Sequence, residues 1–450
     1  MIEREITLSG ILLAREERVS IQNALLDEYG VPVVSFTMNM AGPVKVTALS
    51  HRAFLWGMEQ LRLGFLQNRM AVRKEFSRSL PTGDEGYFAV DAPAEAVKAL
   101  CVEIEEGTPN LGRLYDIDVI GTDGRKLERG AERPCIVCGK PGRECASRRL
   151  HSVANLRETT AILLRAGMAV VDRNRVPILA TRALLEEVSV TPKPGLVDRA
   201  NNGAHTDMDL NSFLFSANAL SWYWDRCFTR GGANAMNGLP PAETFSQLRG
   251  IGKQAERDML AATGGVNTHK GAIFTLGVLC GAVGRLWTAE TGFPDTDAIL
   301  DEAAAMTRET LEKELPAAHW NTAGEALYQK YGTRGIRGEV ADGLPAVREI
   351  GLPVFRGLLV RGLDRNHAAA VTLLRLIANV EDTNLLHRGG PEGAAWAKAA
   401  AGALIADGRV PSLQEISELD RQFIERNLSP GGCADLLAVT LFLESLSNLN

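Results

Sequence analysis

The sequence contains no apolar run long enough to cross a bilayer, so no membrane-spanning segment or membrane partner is expected. Its opening residues, MIEREITL, are acidic and broken by charges, which argues against a secretory signal. Positive charge is not in excess: 49 Lys and Arg stand against 55 Asp and Glu, a formal net charge of -6. Bulk nucleic-acid binding needs a basic surface to neutralise phosphates, so no nucleic-acid partner is expected. A local basic pocket for a phosphorylated small molecule is compatible with the same balance. Low-complexity tracts and internal repeats are missing as well. Cysteines are few, seven in 450 residues, and the cytoplasmic location these absences imply would keep them reduced. Cys101, Cys227, Cys280 and Cys433 stand alone and read as small core hydrophobes.

What is present is the composition of a globular enzyme, 45% hydrophobic and 23% charged, in a chain too long for one hydrophobic core. The first third mixes strand-like and helical runs. Val31 to Met38 and Gly86 to Val90 are rich in β-branched and aromatic residues, whereas Arg52 to Leu66 and Ala94 to Glu105 have helical apolar spacing. Leu114-Tyr-Asp-Ile-Asp-Val-Ile120 is predicted to be a strand ended by the turn Thr122-Asp-Gly124. Beyond about residue 180, Ala and Leu dominate with a helical period. The most polar break near that change is Asp172 to Pro177, and Pro177 disfavours a helix running straight through it. These features predict an α/β domain over residues 1–172, then a larger all-α domain over residues 173–450.

Side chains alternate faces along a strand, so Asp116 and Asp118 are expected to project from one face together with Leu114 and Ile120. Two adjacent carboxylates repel unless a cation or proton lies between them, and Mg²⁺ commonly uses one or two carboxylates plus substrate phosphates. The pair reads as a metal clamp for phosphoryl or nucleotidyl transfer, against the plainer reading of a charged edge strand. Lys45, Arg52 and Arg113 are candidate phosphate donors. Cys135, Cys138, Cys145 and His151 have the ligand types of a structural zinc site. Their spacing is tighter than in most zinc fingers and Arg143, Arg148 and Arg149 crowd it, which favours reduced thiols in a phosphate-binding turn over Zn²⁺.

Gly42-Pro-Val-Lys45, Leu49-Ser-His-Arg-Ala-Phe54, Gly112-Arg-Leu-Tyr-Asp-Ile-Asp-Val-Ile120 and Cys135-Ile-Val-Cys138 followed by Cys145-Ala-Ser-Arg-Arg-Leu-His151 resemble the apo-citrate lyase phosphoribosyl-dephospho-CoA transferase family over about residues 1–170. The resemblance implies a nucleotidyltransferase-like domain. It would transfer a prosthetic-group precursor to a serine of the citrate lyase acyl-carrier subunit and release pyrophosphate.

In the second domain, Thr191-Pro-Lys-Pro-Gly-Leu-Val-Asp198 is too rich in proline to be helical throughout, and this stiff loop would hold Lys193 and Asp198 in place. Asn201-Asn-Gly-Ala-His205 follows, with a helix start predicted at Thr206 to Asp209. Thr263-Gly-Gly-Val-Asn-Thr-His-Lys-Gly271 is a glycine-rich turn opening an apolar helix, a combination that presents backbone N–H groups and a favourable dipole to an anion. The Walker spacing is absent. Asn267 and Lys270 lie in this segment, while Gly277, Gly281 and Gly284 read as helix-packing positions. Loops at Tyr331 to Glu339, Glu381 to Asn384 with Arg388 to Gly390, and Ser429 to Asp435 again pair glycine with charge.

The segments at Glu187 to Asp198, Gly265 to Gly271, Gly335 to Glu339, Asp382 to Asn384 and Ser429 to Leu437 closely resemble the triphosphoribosyl-dephospho-CoA synthase family over about residues 175–450, with Cys433 where that family has Ser. The resemblance implies that ATP reacts with dephospho-CoA and that a ribose hydroxyl displaces adenine. The order of the halves matches a bifunctional fusion. Such a reaction needs a base, a proton donor and stabilisation of an oxocarbenium-like centre. Asp198, Glu339 and Asp382 are the candidate carboxylates, and His205 or His269 the candidate proton donors. Lys193, Asn267, Lys270, Arg337 and Arg388 would bind the nucleotide substrates, with Mg²⁺ as the expected cofactor. Two rivals are the same chemistry on the malonate decarboxylase carrier protein and a non-catalytic maturation factor that binds an acyl-carrier subunit.

Overall fold

The computed structural model describes residues 5–317 and 328–449; residues 1–4 of the opening segment lie outside them. The chain divides into two compact units, Met1–Val171 with Ala289–Thr291, and Asp172–Thr288 with Gly292–Asn450.

The first unit contains α1 (Leu8–Tyr29), β1 (Val33–Met38), α2 (Ala48–Gln67), β2 (Ala71–Leu80), β3 (Gly83–Asp91), α3 (Ala94–Gly107), β4 (Tyr115–Ile120) and α4 (Gly142–Ser147). The strands form one antiparallel sheet in the order β2-β3-β1-β4. Phe36 of β1 stacks on Phe54 of α2 at 5.0 Å and meets Tyr115 of β4 edge-on at 5.1 Å, so α2 closes one face of the sheet with aromatic contacts. On α1, Arg18 reaches the buried Glu85 of β3 at 2.9 Å, and Arg78 of β2 reaches the same carboxylate at 2.8 Å.

β2 has no counterpart in the sequence reading. Its residues AVRKEFSRSL lack a hydrophobic alternation because the strand is an exposed sheet edge, and Arg73, Lys74 and Arg78 keep that edge from pairing with other chains.

Helix α5 (Val153–Ser189) corrects a second expectation, because it continues through Asp172 to Pro177. Val176, Ala180, Ala183 and Leu184 fall on one helical stripe and are at most 2% exposed, so apolar burial outweighs the hydrogen bond that proline cannot donate. The exposed position of Arg173 leaves its neighbourhood open to water.

The second unit is helical. α6 (Leu210–Ala219), α7 (Ser221–Met236), α8 (Pro241–Ala262), α9 (Lys270–Leu286) and α10 (Thr296–Ala317) are followed by Gly335–Ala341, Leu352–Val360, Arg365–Asn379, Thr383–Leu404, Leu413–Glu425 and Gly431–Ser447. α7 and α9 cross closely because Gly284 has no side chain: a Cβ there would lie 2.0 Å from the Phe228 carbonyl oxygen. The four solitary cysteines are buried, as expected of small core residues. No described helix is long and apolar enough to cross a membrane.

Replacing Pro177 with Ala restores the missing donor within α5, so the variant should gain about 1–3 kcal/mol. Urea unfolding should show a higher midpoint with an unchanged slope. A lower midpoint would mean that the ring packs too well to be removed.

Candidate functional site

β4 is the sheet edge opposite β2, and it pairs with β1 so that Asp116 faces Thr37 and Asp118 faces Ser35. Tyr115, Ile117 and Val119 point into the core at 2% exposure or less. The two carboxylates line a cavity of about 1180 Å³ on the other side. Leu114 and Ile120 are themselves buried, so the polar face is limited to the two aspartates. Withdrawal from water, followed by repulsion from Asp118, raises the pKa of Asp116, with Lys126 and Arg133 pulling the other way. Lys126 Nζ lies 2.5 Å from Asp118 Oδ1, a cation already set against the pair.

A basic wall faces these carboxylates. Arg113, Lys126, Arg133, Arg143 and Arg149 all line the cavity. Glu105, only 6% exposed, holds part of this wall: it pairs with Arg129 at 2.6 Å and Arg133 at 2.5 Å, and accepts the Ile117 N–H at 3.1 Å. Arg133 also donates to the Tyr115 carbonyl, and Arg113 donates to the Pro134 carbonyl at 2.6 Å. Thus the segment after β4 folds back over its free edge, and brings arginines that are distant in sequence to the aspartates.

Cys135, Cys138, Cys145 and His151 also converge, their ligand atoms lying within 4.8 Å of one another. Three of them, Cys135, Cys145 and His151, line the same cavity. Lys45 and Arg52 do not. Lys45 Nζ donates to the Met40 carbonyl at 2.6 Å, and Arg52 donates to the Ala289 carbonyl at 2.8 Å within the same unit.

In the second unit, Lys193 is 1% exposed and its Nζ lies 2.5 Å from Glu187 Oε1 while donating to the Glu187 carbonyl at 2.9 Å. A desolvated ammonium requires such a partner. The expectation that Lys193 holds phosphate is corrected on that ground. Asp198 organises its own loop, accepting N–H groups from Lys193, Ala200 and Asn201 at 3.1, 2.6 and 3.0 Å. Asp420 joins that loop to the helix Leu413–Glu425 by accepting from Gly195 N–H at 2.8 Å and Asn201 Nδ2 at 2.9 Å.

Asp382 caps the helix Thr383–Leu404 through the N–H groups of Asn384 and Leu385. Its second oxygen accepts the Cys433 N–H at 2.8 Å, pinning the glycine-rich turn before Gly431–Ser447. Burial raises its pKa despite these bonds. Glu339 is half-buried and accepts one N–H, from Ala346 at 3.1 Å. Burial, then the neighbouring Asp342 and Glu349, raise its pKa.

The α9 N-terminus begins where the glycine turn predicted it, yet a carboxylate already stands there. Asp435 accepts the Ala272 N–H, and Gly271 must lack a side chain because a Cβ would lie 1.8 Å from Asp435 Oδ2. Burial, with Glu187 and Asp382 nearby, raises the Asp435 pKa well above the ordinary carboxylate value. Asn267 Oδ1 accepts the Lys270 N–H at 3.2 Å. The Lys270 ammonium points instead into a pocket of about 200 Å³ shared with Arg249, Lys253, Glu256 and Arg337, with Glu256 at 3.4 Å.

Burial lowers the pKa of both histidines, which weighs against either one as a charged proton donor. His269 is buried, bonded through Nδ1 to Ser216 Oγ at 2.7 Å, and burial with Lys193 nearby lowers its pKa to about 3. Burial and Arg388 also lower the His205 pKa. Arg388 donates to His205 Nδ1 at 3.1 Å, so Nε2 carries the proton and donates to Ser429 Oγ at 2.9 Å. Arg388 additionally holds the Ala204 carbonyl and Asn427 at 2.7 and 3.0 Å, and so braces this loop. The sequence reading named Glu187 and Asp435 only within motif segments, with no role of their own, and did not name Asp420; a single Asp in the apolar run Gly431–Ser447 was the available signal for Asp435.

Residues 173–450 match the family model described as ATP:dephospho-CoA triphosphoribosyl transferase, and residues 6–166 the model described as apo-citrate lyase phosphoribosyl-dephospho-CoA transferase. Protein CitXG of Haemophilus influenzae is 35% identical, covering 98% of this chain and 96% of its own length. Protein CitXG of Leuconostoc mesenteroides is 32% identical over 98% of this chain and 97% of its own. A probable 2-(5''-triphosphoribosyl)-3'-dephosphocoenzyme-A synthase of Citrobacter koseri is 46% identical over 61% of this chain and 91% of its own. With both matches in the order the motifs implied, the chain belongs to the fused form of these two transferase families.

Proposed function

We propose that the chain builds a prosthetic group and then installs it. Residues 173–450 would join ATP to dephospho-CoA: a ribose hydroxyl of dephospho-CoA attacks C1 of the ATP ribose, the bond to adenine breaks, and the hydroxyl proton is balanced by the one adenine takes up. The product is 2'-(5''-triphosphoribosyl)-3'-dephospho-CoA, its triphosphate intact. Residues 1–172 would then pass this product to a serine of the citrate lyase acyl-carrier subunit. The serine oxygen attacks the phosphorus next to the ribose, the bond to pyrophosphate breaks, and the serine proton is released. The match to an apo-citrate lyase family favours that acceptor over the malonate decarboxylase carrier.

The observation that carries the transfer half is the cavity in which Asp116 and Asp118 face Arg113, Arg133, Arg143 and Arg149. A simple binder of an acyl-carrier subunit has no need of this arrangement. The donor set suits Mg²⁺: two carboxylates on one strand face, one already against an ammonium. Bound there, the ion would supply positive charge to the departing pyrophosphate. The arginines hold the phosphates, and Glu105 keeps the segment bearing Arg129 and Arg133 against β4.

For adenine displacement, Glu339 is the acid we favour. It accepts the Ala346 N–H, and its raised pKa keeps it protonated to higher pH than an ordinary carboxyl. Asp198 and Asp382 place negative charge near an oxocarbenium-like centre, while Lys270 and Arg337, sharing one pocket, are the cations for the triphosphate.

Asp118→Asn keeps shape and removes one ligand charge. Carrier modification should fall by roughly a hundredfold or more, with adenine release near normal and free triphosphoribosyl-dephospho-CoA accumulating. A wild-type rate of carrier modification in folded protein would remove the clamp.

Because an acid must be protonated to act, adenine release should be lost as pH rises through the Glu339 pKa. Glu339→Gln should abolish that basic limb and slow release by about a hundredfold. His269→Asn should leave the shape of the profile unchanged, since His269 is neutral above about 3. Loss of a limb near 6.5 in His269→Asn would instead make imidazole the acid.

A further inference from the structure

Cys135 and Cys138 sit on a tight turn. The Gly139 N–H bonds back to the Cys135 carbonyl at 3.0 Å, and the Cys135 N–H to the Lys140 carbonyl at 2.6 Å. Gly139 takes φ +74°, a left-handed conformation that favours glycine after the second cysteine. The short helix α4 then presents Cys145, and the Leu150 N–H bonds to the Cys145 carbonyl at 3.1 Å, reversing the chain so that His151 returns to the thiols. Cys138 and Cys145 sulfurs are 3.4 Å apart, yet both are free thiols. His151 Nε2 is buried with no hydrogen-bond partner. A buried, unpartnered nitrogen on a histidine that converges with three thiols calls for a ligand.

We propose that Cys135, Cys138, Cys145 and His151 bind one Zn²⁺ in a closed tetrahedral site that shapes the arginine wall of the transfer cavity. Thiolate and imidazole donors are those zinc prefers, and four protein ligands leave no position open for substrate, so the metal is structural. Zn–S bonds of about 2.3 Å place tetrahedral sulfurs about 3.8 Å apart. The four ligand atoms, all within 4.8 Å of one another and with Cys138 and Cys145 sulfurs at 3.4 Å, reach that geometry by shifts of about 1 Å or less. Zinc with three thiolates carries one net negative charge, and Arg143 and Arg149, within or next to the ligand segment, line the same cavity and answer it. The metal thereby fixes the turns that hold these arginines opposite Asp116 and Asp118. This role rests on the proposed transfer reaction; the metal site itself does not.

The full chain, purified without chelators, should contain about one zinc per molecule. Replacement by cobalt should give the visible bands of a tetrahedral thiolate site. His151→Ala and Cys145→Ser should lose at least nine-tenths of the metal, whereas His151→Cys, which supplies a fourth thiolate, should retain it. Circular dichroism checks folding, and if the first two variants fail to fold, wild-type zinc content and the His151→Cys cobalt spectrum decide. Zinc below a tenth of an equivalent, undiminished zinc in His151→Ala, or a Cys138–Cys145 disulfide in the purified chain would overturn the site. Full zinc, with carrier modification unchanged in a folded zinc-free variant, would leave the site standing and remove its link to transfer.

Discussion

A buried charge must be answered by another, and both units are organised by that constraint. In the second, Lys193 and Glu187 meet at 2.5 Å with side chains 2% and 6% exposed. Isolated, either ion would carry a desolvation penalty of several kcal/mol. The pair anchors the proline-rich loop, and its charges act on their neighbours: Lys193 lowers the His269 pKa, and Glu187 raises that of Asp435. In the first unit, the buried Glu105 answers Arg129 and Arg133. Folding therefore fixes which charges remain to meet a substrate.

The chemistry follows from that division. In the proposed scheme the second reaction uses the triphosphate that the first leaves intact, so one site would hold phosphates without cleaving them and the other would stabilise a pyrophosphate as it departs. Lys270 and Arg337, which share one pocket with Arg249 and Lys253, suit holding. Asp116 and Asp118, opposite an arginine wall, suit departure.

Local pattern made some of this legible and long-range folding hid the rest. Asp116 and Asp118 could be placed on one strand face because a strand alternates, and the α9 start could be placed because a glycine turn precedes an apolar run. The arginine wall could not, since it depends on residues 126–133 folding back over β4. Lys193 looked available because sequence shows its charge and not its burial beside Glu187. Asp382 and Asp198 also serve as helix cap and loop organiser, structural duties that sequence does not show. Pro177 misled for a physical reason: a propensity cost of about 3 kcal/mol is outweighed by a buried apolar stripe.

The central claim is that one triphosphate is conserved in the first reaction and broken in the second. ATP labelled in its γ-phosphate, given to the intact protein with dephospho-CoA and Mg²⁺, tests it directly. Label should move into triphosphoribosyl-dephospho-CoA as adenine appears in equal amount, and leave as pyrophosphate only once the apo-carrier subunit is added. Label appearing as free phosphate or pyrophosphate in step with adenine, before any carrier is present, would contradict the account.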